Sequence, residues 1–322
     1  MTRLLPLFTL PLLLAACATT APVNDAGTLY HYQLKATQGE ALTLEQALAR
    51  VADADIVLVG ELHTHPAVHL LQARMLAGLA ADGRPLVLSM EQFSRADQPV
   101  LDAYLAGRIG EAALIRDGNA WPNYQSDYRP LVEFAKAHHL PVIAANAPKP
   151  LVSCVGQEGP AWLEQLPASR RSQLARTLTL GDDPYRQKFM ASLHHGDADS
   201  NARRFAAQTS WDDTMAESMV DYLRSHPGRR IMHIAGNFHV EGGLGLASRI
   251  ASRNPDLKVA LVVPELTTPQ AGDGQAAAGR VADVRVGIAP LPERWLNADE
   301  MKQDMGALHQ SRSRDCSQWL QP

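Results

Sequence analysis

Several large classes of protein are excluded by what this sequence lacks. Its 30 lysines and arginines nearly balance 34 aspartates and glutamates, the net charge is −4, and only 20% of 322 residues are charged. That balance offers no basic footprint for nucleic acid. Beyond the first sixteen residues, no run is long and apolar enough to cross a bilayer as a helix. No repeat of twenty to fifty residues is visible, so a solenoid reading is set aside. His65 and His69 stand four apart, but the glutamate of H-E-x-x-H is missing, so a zincin helix is not indicated. Pro66 between them suits a first helical turn. The pattern predicts a helix-start role for His65 and a solvent-facing His69.

What is present begins at the N-terminus. Met1-Thr2-Arg3 is followed by a Leu-, Pro- and Phe-rich stretch from Leu4 to Leu14, then Ala15-Ala16-Cys17. A short positive region, about ten apolar residues and small residues at a cut describe a secretory signal. A cysteine directly after the small pair resembles the bacterial lipobox, which predicts cleavage after residue 16 and lipidation of Cys17. Acyl chains on one residue anchor stably, since each buried methylene contributes roughly 0.8 kcal/mol. By resemblance to bacterial lipoproteins, Ala18 after the cysteine implies sorting to the outer membrane, facing the periplasm. Residues 17–27 read as a flexible tether. The remaining cysteines, Cys154 and Cys316, can pair in an oxidising compartment or stand as two isolated buried thiols.

Short β-branched runs recur along the mature chain: Ile56–Val59, Leu86–Met90, Val142–Ala145, Ile231–Ala235 and Val259–Val263. Apolar on consecutive positions, they fit strands buried on both faces. Helical patterns lie between them, at Pro66–Ala81, Tyr128–His138, Trp211–Ser225 and Leu244–Ser252. This alternation predicts an α/β fold with a mainly parallel central sheet flanked by helices. The region 148–208 breaks the rhythm, with helical stretches at Pro160–Leu180 and Asp183–His195 and no convincing strand. It reads as a small helical subdomain inserted between 28–147 and 209–322. Gln270–Gly279 reads as a loop, and Val281–Ile288 as a last strand at the sheet edge.

Ligands of open parallel sheets bind beyond the carboxyl ends of the strands. Four of the runs end in polar residues: Gly60-Glu61-Leu62-His63, Met90-Glu91-Gln92, Ala145-Asn146 and Gly236-Asn237-Phe238-His239, with Glu241 beyond. Caps and turns account for any one of these, but four together predict a site. Both G-x-x-H segments place a glycine where close backbone approach is useful and an imidazole three residues on. His63 and His239 with Glu61, Glu91 and Glu241 nearby would suit a divalent metal, bound by His63, His239 and Glu61, or a hydrolase whose base is Glu61 or Glu91.

These residues resemble a known family. Gly60-Glu-Leu-His63, Gly236-Asn-Phe-His239, Glu91, Trp121…Tyr128-Arg129-Pro130, Ala144-Ala145-Asn146 and Trp211-Asp212-Asp213-Thr214-Met215-Ala216 are similar to the ChaN-type haem-binding lipoproteins. That family belongs to a group with the Tiki, TraB and erythromycin-esterase-like proteins. The resemblance covers roughly residues 54–263 and implies an α/β fold with a small helical subdomain. It also implies haem binding at the outer membrane in iron uptake, with delivery from an outer-membrane receptor. Family members hold haem through a tyrosine, assisted by a histidine of a second subunit, in a homodimer with two stacked haems. Tyrosinate suits ferric haem, and imidazole is a common axial ligand. Tyr185 is the first candidate for the tyrosine, because His194, His195 and Arg186 cluster near it, Arg186 for a propionate. Tyr128 is the second and Tyr124 the third. No C-x-x-C-H is present for covalent attachment. A metal-dependent hydrolase at the strand-end cluster is the alternative, and binding of some other small ligand a third reading.

Overall fold

The computed structural model describes residues 27–193, 196–267, 279–310 and 315–321. The stretches read as signal peptide and tether (residues 1–26, with Cys17), His194, His195 and nearly all of the 270–279 segment lie outside the described residues. Eight strands form one sheet: β1 (Tyr32–Ala36), β2 (Ala41–Leu42), β3 (Ile56–Glu61), β4 (Leu86–Ser94), β5 (Val142–Asn146), β6 (Arg230–Gly236), β7 (Val259–Leu266) and β8 (Val284–Ile288). Their order is β2-β1-β8-β7-β3-β6-β4-β5. From β8 to β5 every pairing is parallel, while β1 runs antiparallel to both β2 and β8. All six sequence-predicted strands form. Val284–Ile288 is not at the edge, however, because the short N-terminal β1–β2 pair covers it. That pair is too brief and too mixed in polarity to read as strands in isolation.

Helices α1 (Leu44–Val51), α2 (Pro66–Ala81), α3 (Gln98–Leu105), α4 (Glu111–Asp117) and α5 (Arg129–Ala137) precede β5. Helices α6 (Lys149–Glu158), α7 (Ala168–Arg171), α8 (Pro184–Ala191) and α9 (Ala198–Ser225) lie between β5 and β6. A short α10 (Asn237–Val240), α11 (Leu246–Arg253) and α12 (Ala298–Gln310) complete the set. The layers follow from strand geometry, since successive side chains point to opposite faces. Val57, Val59, Leu88, Met90, Met232 and Ile234 meet α2, α3 and α5 on one face. Ile56, Leu58, Val87, Ile231, Leu261 and Val263 meet α9 and α11 on the other. Both sets are apolar because both faces are covered, so the strands read as unbroken hydrophobic runs.

Local signals set several helix starts. Thr43 and Gln46 form a reciprocal capping box at α1. At α2, His65 Nδ1 accepts from the Ala67 amide at 3.3 Å while its Nε2 donates to the Ala289 carbonyl at 2.8 Å. His65 is therefore the helix-start residue expected. His69 is not solvent-facing; it is buried, with Nδ1 2.9 Å from Gln72 Oε1. The Pro160–Leu180 stretch is not one helix: a 3₁₀ segment over Pro160–Gln165 gives way at Pro167 to the single turn of α7. Between β5 and β6 the described residues are helical and irregular. α9 runs without a break through residue 208, so the helix predicted from Trp211 begins thirteen residues earlier, at Ala198, capped by Asp197. A third apolar cluster joins α6 and the 3₁₀ segment to the C-terminal residues Cys316, Trp319 and Leu320. Cys154 and Cys316 are disulfide-bonded, with Cα atoms 5.7 Å apart across 162 residues of sequence.

Candidate functional site

The parallel register places the two G-x-x-H segments side by side, with Gly60 opposite Ala235 and Glu61 opposite Gly236. Each glycine makes room for a residue of the other segment. A Cβ on Gly60 would lie 2.5 Å from Asn237 Oδ1, and one on Gly236 would lie 2.9 Å from His63 Nε2. The glycines serve close approach rather than turning, since neither has a positive φ. The one left-handed non-glycine residue here is Thr64 (φ 69°), a conformation that is strained for a β-branched side chain.

Glu61 is the hub. Only 1% exposed, its Oε1 accepts hydrogen bonds from Tyr128 Oη at 2.7 Å and Gln92 Nε2 at 3.1 Å, with His63 Nδ1 at 2.8 Å. Its Oε2 accepts from Gln72 Nε2 at 2.7 Å. Burial opposes ionisation most strongly, but the His63 bond, the His69 and His63 charges and the Gln72 bond together outweigh it and hold the carboxyl below its ordinary range. His63, with 45% of its side chain exposed, moves the other way. Burial disfavours its charge, yet the Glu61 bond and the carboxylates of Glu91 and Glu61 raise it above the usual imidazole value.

A second imidazole–carboxylate pair faces the first. His239 Nδ1 lies 2.8 Å from Asp212 Oδ1, and its Nε2 is 3.7 Å from Glu91 Oε1. Burial lowers its basicity, but the Asp212 and Glu91 charges dominate and push it up to about 9. Glu91 is held by the Gly236 amide at 2.6 Å. The register of β4 on β5 shifts between Met90 and Ser94, and such irregularities re-aim side chains at functional edges. Glu241 stands further out, paired with Lys188 at 2.7 Å and with Asn237 Nδ2 at 3.0 Å.

The other nominated residues are placed differently. Tyr185 is fully buried, donating to Asp212 Oδ2 at 2.7 Å. Burial and the Asp212 charge hold its phenol well above the usual range, so it keeps its proton and is enclosed. Tyr128 is likewise buried, and burial with the adjacent Glu61 raises its phenol as well. Tyr124 is buried against Phe93. All three tyrosines are enclosed by protein in this structure. Arg186 lies over the Phe205 ring and donates to the Leu180 carbonyl at 3.1 Å, serving the helical region rather than the strand ends. His63, His239 and Glu61 do not come together as a metal-binding trio among the described residues. Among the described residues no three His, Cys, Asp or Glu side chains are placed to hold a metal ion; both Glu61 oxygens already accept hydrogen bonds, and Asp212 engages His239.

A cleft of about 810 Å³ opens beside this network, lined by Glu91, Gln92 and Asn146 from the strand ends. Trp121, Trp211 and Trp319 wall it, and Lys149 and Arg170 supply cations. Trp121 also packs edge-on against His63, ring centroids 5.2 Å apart. Sequence reading missed Gln72 and gave Asp212 and Gln92 no individual role in the network. The signal for Asp212 was the acid pair beside Trp211 in the motif Trp211-Asp212-Asp213-Thr214-Met215-Ala216, since acids brought into a buried helix face have to be satisfied.

A doubly covered, mainly parallel α/β sheet with a buried acid–imidazole network and an indole-walled cleft at its strand ends defines the class of protein. Residues 47–250 match the family model described as "Haem-binding uptake, Tiki superfamily, ChaN". The chain belongs to that haem-binding uptake family. Among solved structures it is similar to the one titled "Cofacial heme binding to ChaN of Campylobacter jejuni", at 14% identity and TM-score 0.61, covering 80% of this chain and 97% of that one. A mutant of the erythromycin esterase EreC in its open conformation is more distant, at 12% identity and TM-score 0.45, covering 85% and 87%. No curated protein matches the sequence.

Proposed function

We propose that this protein is a lipoprotein, anchored through Cys17 to the outer membrane and facing the periplasm, that receives haem from an outer-membrane receptor during iron uptake. The observation that carries the site is the cleft. Its volume of about 810 Å³ lies within the few hundred to a thousand Å³ typical of small-molecule sites. Three indoles suit the faces of a macrocycle, and Lys149 and Arg170 suit its propionates. His63 is the half-exposed imidazole at this edge. Glu61 engages its Nδ1 and leaves Nε2 to an iron, the arrangement in which a carboxylate orients a ligating histidine. The disulfide supports an oxidising compartment, where such bonds persist. The printed title of the Campylobacter structure speaks of cofacial haem binding, and a homodimer formed on haem binding is part of this proposal.

The test is a haemin titration of the purified protein. A Soret band should appear and saturate, Lys149→Ala/Arg170→Ala should weaken binding about tenfold, and His63→Ala should shift the band. A spectrum identical to free haemin at every ratio would refute the proposal.

One observation favours a second reading: two imidazole–carboxylate pairs meet across Glu91. Glu91 and His63 in proton-transfer roles would suit hydrolysis of an ester-like substrate. Turnover of chromogenic esters abolished by Glu91→Gln would support it, and turnover unchanged in that variant would remove it.

A further inference from the structure

The C-terminal segment, residues 315–321, contributes one wall of the cleft, and it does so from the far end of the chain. Trp319 lines the cavity. Among the described residues, the segment's hydrogen bonds are all internal: Asp315 with Ser317 and Gln318, and the Leu320 amide to the Ser317 carbonyl. The Trp319 Nε1 has no hydrogen-bond partner there either. What joins the segment to the body is the Cys154–Cys316 disulfide, with apolar packing of Trp319 and Leu320 onto the α6 cluster. Arg170 stacks on the Trp319 ring, its Cζ 5.2 Å from the centroid. No ion pair holds the Arg170 guanidinium among the described residues, so the indole is what orients this cation at the cleft.

From this arrangement we infer that Trp319 and Arg170 form a disulfide-held wall that sets affinity for a planar, carboxylate-bearing cargo. The inference rests on reading the cleft as the haem site. Cys154 sits on α6 inside the packed cluster and fixes the position of Cys316, three residues before Trp319. A dithiol that reduces the bond passes two electrons and two protons to Cys154 and Cys316, leaves both as thiols, and is itself oxidised to a disulfide. The wall then keeps only its apolar contacts, and Arg170 loses the surface it stacks on. Affinity for cargo is thereby tied to the redox state of a bond remote from the acid–imidazole network.

The experiment compares four full-length proteins by haemin titration: wild type, Trp319→Ala, Cys154→Ser/Cys316→Ser, and the triple variant. Each partial variant should bind about tenfold more weakly, the scale for loss of a buried indole anchor. The triple variant should be no weaker than either, because all remove the same wall. Wild-type affinity in Trp319→Ala, or fully additive losses, would overturn the inference. Should the cysteine variant fail to fold, Trp319→Ala and mild dithiol reduction of the folded wild type decide the question alone. A second readout needs no haem: reduction should expose residues 315–321 to protease and Trp319 to acrylamide quenching, and unchanged protection in both would also overturn it. If wild type shows no Soret band, the haem reading fails while this second readout still decides the wall's dependence on the disulfide.

Discussion

Replacing Glu61 by glutamine keeps the shape of the hub and removes its charge. The wild-type carboxylate accepts from four partners, Tyr128, His63 and Gln92 on one oxygen and Gln72 on the other. A glutamine oxygen can serve the first three, but its amide then points at the Gln72 amide, donor against donor. Gln72 cannot simply flip, because its own oxygen is engaged by His69 at 2.9 Å. At least one buried donor is left unpaired, at about 1–3 kcal/mol, and the surviving bonds fall from charged to neutral strength. The expected loss is about 2–4 kcal/mol, which for a domain of this size corresponds to a Tm lower by roughly 3–7 °C. The same change removes the nearest carboxylate from His63, so its imidazole should titrate at lower pH than in wild type. Urea denaturation and thermal melting would measure the first effect, and NMR titration of the His63 ring the second. Stability within about 0.5 kcal/mol of wild type, together with an unmoved His63 titration, would refute the hub: it would mean that Glu61 is already protonated in the native protein.

Two further outcomes follow from the same edge. His239 is lifted from 6.5 to about 9, so its pairing stabilises the fold fully below pH 6.5 and is lost as pH rises through about 9, a contribution of about 3 kcal/mol. Buried His233, whose Nδ1 meets Ser89 Oγ at 2.8 Å, is lowered by burial to about 3, so it costs stability as pH falls from 6.5 toward 3. Denaturation midpoints should therefore decline on both sides of neutrality, and His239→Gln should flatten the alkaline limb; an unchanged limb would contradict the assignment. Gly236→Ala puts a methyl 2.9 Å from His63 Nε2. Because that ring is half exposed and can swing, stability should change by less than about 1 kcal/mol while the His63 titration moves; an unaltered titration would show that the two G-x-x-H segments are not interlocked.

Much of this protein was legible in local pattern. Consecutive apolar residues in β3, β4, β5, β6 and β7 imply burial on both faces, and that alone predicts a parallel sheet covered twice. The polar residues that end those strands then fall on one edge by topology. The solvent-facing reading of His69 failed because it assumed that a polar side chain on a helix looks outward. His69, Tyr128 and Tyr185 are all buried instead, because Glu61 and Asp212 satisfy them, directly or through Gln72. Nor does anything in the short, mixed stretch Tyr32–Leu42 say that it pairs with Val284–Ile288, since pairing over some 250 residues leaves no local periodicity.

The sequence by itself determined the central strands β3 to β7 and the edge at which chemistry gathers, because these follow from the period of apolar residues and from the rule that parallel strands present their carboxyl ends together. Only the tertiary structure decided which polar groups meet. Glu61 and Gly236 are 175 positions apart, as are Gly60 and Ala235, yet register sets each pair side by side. Cys154 and Cys316 are joined across 162 residues, a pairing left open by the sequence. Hydrogen bonds and disulfides are short-range and directional, so they are fixed only once packing has brought their partners within a few ångströms.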